Sequence, residues 1–481
     1  MSKSSPVIDA IDAACETMGR IFAEDGLPNF LATVWPVALL DFDPEVAEAH
    51  VPGRHLNALL LAESIGRPIS EAAVNAHREA LFFSYSGDVP LPLNRAEKAA
   101  TVPTNFLPHN VREGFHGLHA LARYRDDTRA LATIEQSVAY ILDHWSPATG
   151  WDPRVADVTG WSYGTVTGIG RALGPLVKIL DLTGDEKVLK LVDLIATRLL
   201  TDHYLPEGDF DLGRFDIHVH SVTSSLSSLA QYARFTGDNV ARAAVKAFYD
   251  NGAWVLRDQL GWAAEGAAPP APHSDRGETN TTGDLLETAL ILADDGDTAY
   301  LDDAERMIFA HLLPSQMRDI TPFSENPDDT LHKLASSWGF PAPYGHLYVG
   351  GSTIEANTDV VGGTSSSLCA AVLESVRVER GTPTVRLYLD VERHGVLASL
   401  EGGTAQISAN REVSIRVPRF DGSSGGYRSV DPRAEPEVSF PIERTTIVLR
   451  HAERDIRAQM FGSRVEAMDS FGMPFAFFPS L

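Results

Sequence analysis

Apolar residues recur at helical spacing through the first three quarters of the chain. Between 171 and 200, Leu173, Leu176, Val177 and Leu180 line one helical face, and Val188, Leu191, Val192, Ile195 and Leu199 line the next. Leu182-Thr183-Gly184-Asp185 separates them: Gly ends one helix, and Asp can accept from the first free amides of the following one. Related turns stand at Arg125-Asp126-Asp127, Thr236-Gly237-Asp238 and Asp295-Gly296-Asp297, so the aspartates lie 58, 53 and 59 residues apart. Helix–turn–helix units at such a period predict a repeat architecture. The uneven period and long connecting loops favour an (α/α)6 barrel of helical hairpins over an open superhelix.

Near residue 380 the period changes to two. Val385, Leu387, Leu389 and Val391 alternate with polar residues, as do Val413, Ile415 and Val417, with Gly402-Gly403 and Gly425-Gly426 as punctuation. The pattern predicts a barrel domain over 1–378 and a β-sandwich domain over 379–481 that packs against it.

Composition narrows the function. At 44% hydrophobic and 22% charged residues the chain is an ordinary globular protein. A formal charge of -25 argues against nucleic acid and polyanionic substrates, which require clustered Lys and Arg. Cys15 and Cys369 are the two cysteines, too few for a disulfide framework or a Cys-rich zinc site. The N-terminus has no apolar signal-like core, and no run of about 18 apolar residues occurs, so a cytoplasmic location without membrane contact is expected. Substrates that are neutral or carry few charges fit this balance best, and a homodimer is compatible with the sequence.

Loops at one end of such a barrel line its pocket, which directs attention to polar clusters at helix starts. His109 and His116 are seven apart, returning to one helix face within about 20°. The spacing is not the i, i+4 pair of a metalloprotease helix, so these histidines read as sugar-binding groups or a solvated helix end. His218 and His220 enter a later helix and carry the same two readings. Glu265 follows Trp262-Ala263-Ala264, surroundings that would favour a protonated general acid. Glu278 and Asp284 follow, with Arg276 expected to keep Glu278 ionised; plain helix capping is the alternative for this stretch. Trp151, Trp161, Tyr163, Trp262, Trp338 and Tyr344 fall in loops, where aromatic faces can stack on sugars or pack against the scaffold.

In order, these clusters resemble the β-L-arabinofuranosidase family, glycoside hydrolase family 127. His109 and His116 match its histidine pair, His220 before Thr236-Gly237-Asp238 matches a later histidine, and Glu265 with Glu278-Thr279 matches its acid and its Glu-Thr-Cys motif. The resemblance covers residues 100–480 and implies a helical barrel, a β-sandwich and a general acid at Glu265. It also implies a Cys3Glu zinc set with a cysteine nucleophile. Here the corresponding positions are Asn280, Gly363 and Thr364, with Glu278 alone left of the set, so neither zinc nor thiolate attack is expected, and the retaining mechanism does not carry over.

The expectation is a zinc-independent glycoside hydrolase, with no cofactor, acting on a small glycoside or oligosaccharide. Glu265 would donate the proton and Glu278 or Asp284 would activate water. One alternative is a lyase or isomerase moving protons through His109, His116, His220 or Tyr163. Another is a non-catalytic carbohydrate-binding protein.

Overall fold

The computed structural model describes residues 5–155, 164–267, 275–451 and 454–481. Among them, six helices form a closed inner ring: Val51–Ser64, Val111–Arg125, Leu173–Thr183, Val219–Thr236, Thr279–Leu292 and Thr358–Ser375, each packed on the next and the last on the first. Five outer helices follow their inner partners directly: Glu71–Ser84, Thr128–His144, Glu186–Asp202, Asn239–Asp250 and Ala299–Arg306. The sixth hairpin is closed by the chain's beginning, because the helix Pro6–Met18 packs on Thr358–Ser375.

The repeated aspartates act as expected. Asp127, Asp185 and Asp238 each accept from two backbone amides of the helix they open. Gly184 and Gly237 before them take the left-handed conformation, at φ +63° and +72°.

Inner helices cross closely because small residues face each other. A Cβ on Gly53 would lie 1.9 Å from the Glu113 carbonyl oxygen. Their shared faces are rich in buried Ser and Thr, and many of these hydroxyls bond their own helix, as Ser366 does to the Gly362 carbonyl at 2.8 Å. A polar inner face leaves room for a polar lumen.

The C-terminal region is a sandwich of two four-stranded sheets closing on Val396, Ala398, Ala405, Ile407, Val413 and Ile415. The first is antiparallel: Leu389–Arg393, Val396–Glu401, Thr404–Ala409 and Glu437–Ser439. The second contains Val376–Glu379, Thr382–Val385, Val413–Arg416 and Tyr427–Val430, with one parallel pairing between 382–385 and 413–416. A third sheet, Arg444–Arg450, Asp455–Phe461 and Arg464–Met468, shares a core with Leu260, Ala310 and Tyr344 of the barrel.

Two expectations shift. The alternating run 385–391 is two strands in opposite sheets, because Arg386 turns inward to Glu374 (2.6 Å) and the Leu290 carbonyl (2.9 Å). The barrel's last helix ends at Ser375, so the expected boundary at 378/379 falls inside the strand Val376–Glu379. A small sheet of Leu39–Asp41, Leu31–Trp35 and Ile354–Glu355, unread in the sequence, carries Glu355 toward the barrel mouth. Among the described residues no helix is long and apolar enough to cross a membrane.

Candidate active site

The starts of the inner helices gather one charged layer. Glu113 is its centre: wholly buried, it meets Arg54 (2.6 Å), Arg171 (3.1 Å) and Arg112 (3.2 Å), with His50 at 3.6 Å. Burial opposes its ionisation, but the surrounding cations win and hold its carboxyl well below the usual range. Asp359, paired with Arg54 (3.0 Å) and His50 (3.2 Å), is likewise held low. Glu113 and Asp359 lie in first helical turns, where the helix dipole also favours an anion.

A row of imidazoles crosses this layer. His50 stacks on His109 at 5.5 Å, His109 meets His218 at 5.5 Å, and His218 meets His220 at 5.8 Å. His109 is held between the Thr167 carbonyl, 2.9 Å from Nδ1, and Arg171, which donates to Nε2. Burial, reinforced by nearby arginines, pulls His109, His218 and His220 down, so all three are neutral near pH 7. His220 lies between two carboxyls, with Nδ1 3.3 Å from Glu278 and Nε2 3.3 Å from Asp284. Burial raises both acids: Glu278 is pushed up further by Asp359, and Asp284 reaches about 7. With the acids moving up and the imidazole moving down, these are close contacts between largely neutral groups and not ion pairs.

Glu265 sits on the rim, where its amide donates to the Arg276 carbonyl and its own carbonyl accepts from Val219. The expected environment is reversed. Arg276 reaches Glu265 (2.7 Å) and Glu355 (2.7 Å), leaving Glu278 among imidazoles and Asn280. The strand-like pairing of 265 with 276 turns the guanidinium outward, a contact that sequence proximity could not reveal.

The histidine pair is split between levels. His109 belongs to the imidazole row, whereas His116 lines a cavity of about 250 Å³ in the barrel lumen with His119, Lys178, Gln231 and Glu287. Asp284 and His220 border the same cavity from above. The aromatic expectations mostly give way to packing. Trp338 is fully buried and donates to the Leu312 carbonyl (2.7 Å), Trp262 donates to the Pro341 carbonyl (2.8 Å), and Tyr344 donates to Asp275 (3.0 Å). None of these three presents a face to a sugar. Trp151, half-buried, packs edge-on against Phe106 at 5.1 Å, and Trp161 and Tyr163 lie outside the described residues.

His50, Arg54, Arg171 and Asp359 were missed because they come from three separate stretches of the chain that only the fold brings together. Their signal is positional: charged residues at the first turns of helices that otherwise read as buried.

The thiolate zinc set implied by the resemblance does not fit. A Cβ at Gly363 would lie 2.1 Å from Asn280 Oδ1, and Cys369 is buried within its helix with its thiol pushed far up. Among the described residues, His218, His220 and Glu278 are the group whose donor atoms converge, all within 4.8 Å of one another.

No family model matches the chain, and no curated protein matches it. Solved structures do. A family 127 β-L-arabinofuranosidase from Geobacillus stearothermophilus T6 superposes with TM-score 0.60 at 13% identity, covering 96% of this chain and 80% of that one. A second family 127 β-arabinofuranosidase gives TM-score 0.55 at 14% identity, covering 95% and 81%. A sugar epimerase from a ruminal bacterium gives 0.55 at 12% identity, covering 76% and 98%. At these identities the likeness shows the fold alone: an α/α barrel, followed in this chain by a β-sandwich.

Proposed function

We propose that the protein is a glycoside hydrolase that takes a small, largely uncharged glycoside at the mouth where the inner helices begin. One observation carries this reading: a partly open carboxyl, Glu265, lies near enough to act on Glu278 in a buried floor where His220 stands 3.3 Å from both Glu278 and Asp284. Glu265 is partly open, its side chain 36% exposed, so an incoming glycosidic oxygen can reach it. Its role is to deliver a proton to the departing glycosidic oxygen, which requires the incoming glycoside to loosen its pairing with Arg276 and the carboxyl to take up a proton from solvent first. Glu278 works at the floor, where water is activated. Asp284, tied to Arg112 (3.3 Å) and Thr223 (3.1 Å), orients His220. His218, half-buried and neutral, presents its imidazole to the sugar, and His109, bonded at both ring nitrogens, supports it from 5.5 Å.

The test is Glu265→Gln assayed on an unactivated glycoside and on an aryl glycoside. General acid–base catalysis is worth about 10²–10⁴-fold, and the unactivated substrate should lose that much while the aryl glycoside loses less. Full activity on the unactivated substrate overturns the role of Glu265. The row of neutral imidazoles supports a second reading, an isomerase or epimerase, which product analysis recognises as a change of configuration without change of mass.

A further inference from the structure

We propose that His218, His220 and Glu278 form a binding site for a first-row divalent cation of the zinc class. The proposal deepens the reading above, since it assigns the floor of that same mouth. It rests first on convergence: two imidazole nitrogens and a carboxylate oxygen within 4.8 Å of one another. A tetrahedral cation with bonds of about 2.0–2.2 Å holds its donors roughly 3.3–3.6 Å apart. His220 Nδ1 and Glu278 Oε1 stand 3.3 Å apart, so this edge of the tetrahedron already exists.

The second observation is what orients each donor. His218 Nδ1 lies 2.6 Å from Ser221 Oγ, so an N–H there leaves Nε2 with its lone pair. His220 Nε2 is buried without a well-formed hydrogen bond and faces Asp284 at 3.3 Å; a proton on it leaves Nδ1 to face Glu278. Asn280 Nδ2 donates to Glu278 Oε1 at 2.8 Å. His218 thus has a hydrogen-bond partner behind its free nitrogen, Asp284 lies behind that of His220, and Asn280 fixes the Glu278 oxygen that faces His220; such outer partners characteristically orient metal-binding histidines and carboxylates.

The third is charge. Arg54, Arg112 and Arg171 engage Glu113, Asp359 and Asp284. Among the described residues Glu278 meets no arginine or lysine at ion-pair distance; its close partners are Asn280 and His220. Arg54 acts on Glu278 only from beyond ion-pair distance, so a divalent ion bound at its oxygen would supply charge compensation that the described side chains do not give at contact. The ligand set is two nitrogens and one oxygen, which leaves an open position and suits Lewis-acid polarisation of water or a sugar hydroxyl. It needs none of the three thiolates whose absence prompted the expectation of a metal-free enzyme.

The test is binding of Zn²⁺ alone, by calorimetry, to full-length protein dialysed against chelator, with Co²⁺ absorption reporting the geometry. One equivalent should bind, with tetrahedral or five-coordinate cobalt bands. His218→Ala and Glu278→Gln should each weaken binding by more than tenfold, and Ser221→Ala by about 10–100-fold with circular dichroism unchanged. Glu265→Gln should bind as wild type. Absence of saturable one-equivalent binding overturns the site, as does affinity untouched in the folded Ser221→Ala and Glu278→Gln proteins. If zinc binds as stated but Glu265→Gln keeps full activity, the site stands and the role of Glu265 falls.

Discussion

Glu113 shows what single residues do here. Its carboxylate is fully buried and compensated by three guanidinium groups, so it organises the helix starts beneath the mouth. Removing one partner from such a set leaves charge stranded in a low dielectric, at about 3–5 kcal/mol. Glu113→Gln should therefore lower the denaturant midpoint by an amount of that order, read at constant m-value. The pH dependence has a definite sign. Glu113 and Asp359 are depressed in the folded state, so their stabilisation is full above the unfolded carboxylate values near 4 and disappears as pH falls through the lower folded values. Wild type should lose stability steeply on acidification below about pH 4, and Glu113→Gln less steeply, in matched thermal melts.

At the scale of elements, the ring depends on how closely neighbouring inner helices approach. Gly53 on one helix meets backbone of the next, and the Cβ of Gly53→Ala would fall 1.9 Å from a carbonyl oxygen that cannot rotate away. Overpacking of this kind costs about 1–3 kcal/mol, and a backbone clash belongs at the upper end. A drop in melting temperature, with loss of turnover as the Glu113 layer shifts, is expected. The caps are milder. Asp238→Ala loses the acceptor for the Val240 and Ala241 amides and should cost about 1 kcal/mol with activity unchanged.

For the whole molecule, barrel and β-region hold each other through buried charge. Arg416 enters the barrel side to meet Asp302 and Glu305, and His451 reaches Asp258 (3.2 Å) and Asp275 (3.3 Å) beneath Trp262. The two aspartates outweigh burial and push His451 up to about 9. Its folded value exceeds the unfolded one, so its stabilisation is complete below about pH 6.5 and lost as pH rises through about 9. Melting temperature should fall across that window, and His451→Gln should flatten the profile while starting lower. A chain ending at 378 would expose Asp302 and Glu305 without Arg416, and should be recovered unfolded or aggregated by size-exclusion chromatography.

By itself, the sequence determined what is local. Helical spacing, Gly-Asp turns and the switch to alternation near 380 specify hairpins and strands because propensity and capping act within a few residues. The barrel and sandwich were legible for that reason, and so was the placing of polar clusters at helix starts around 109, 218 and 278. Tertiary structure decided which of those residues meet. Arg276, two residues from Glu278, pairs with Glu265 because a backbone pairing turns it outward. His116 shares a helical stripe with the turn carrying His109 yet lines the lumen, while His50 and Asp359 arrive from distant helices to join the layer. Trp338 and Tyr344 look like loop aromatics in sequence, but burial depends on what the rest of the chain lays over them. Charge state followed the same division: residue type sets the reference value, and only the assembled surroundings raise Glu278, lower His220 and leave them facing each other.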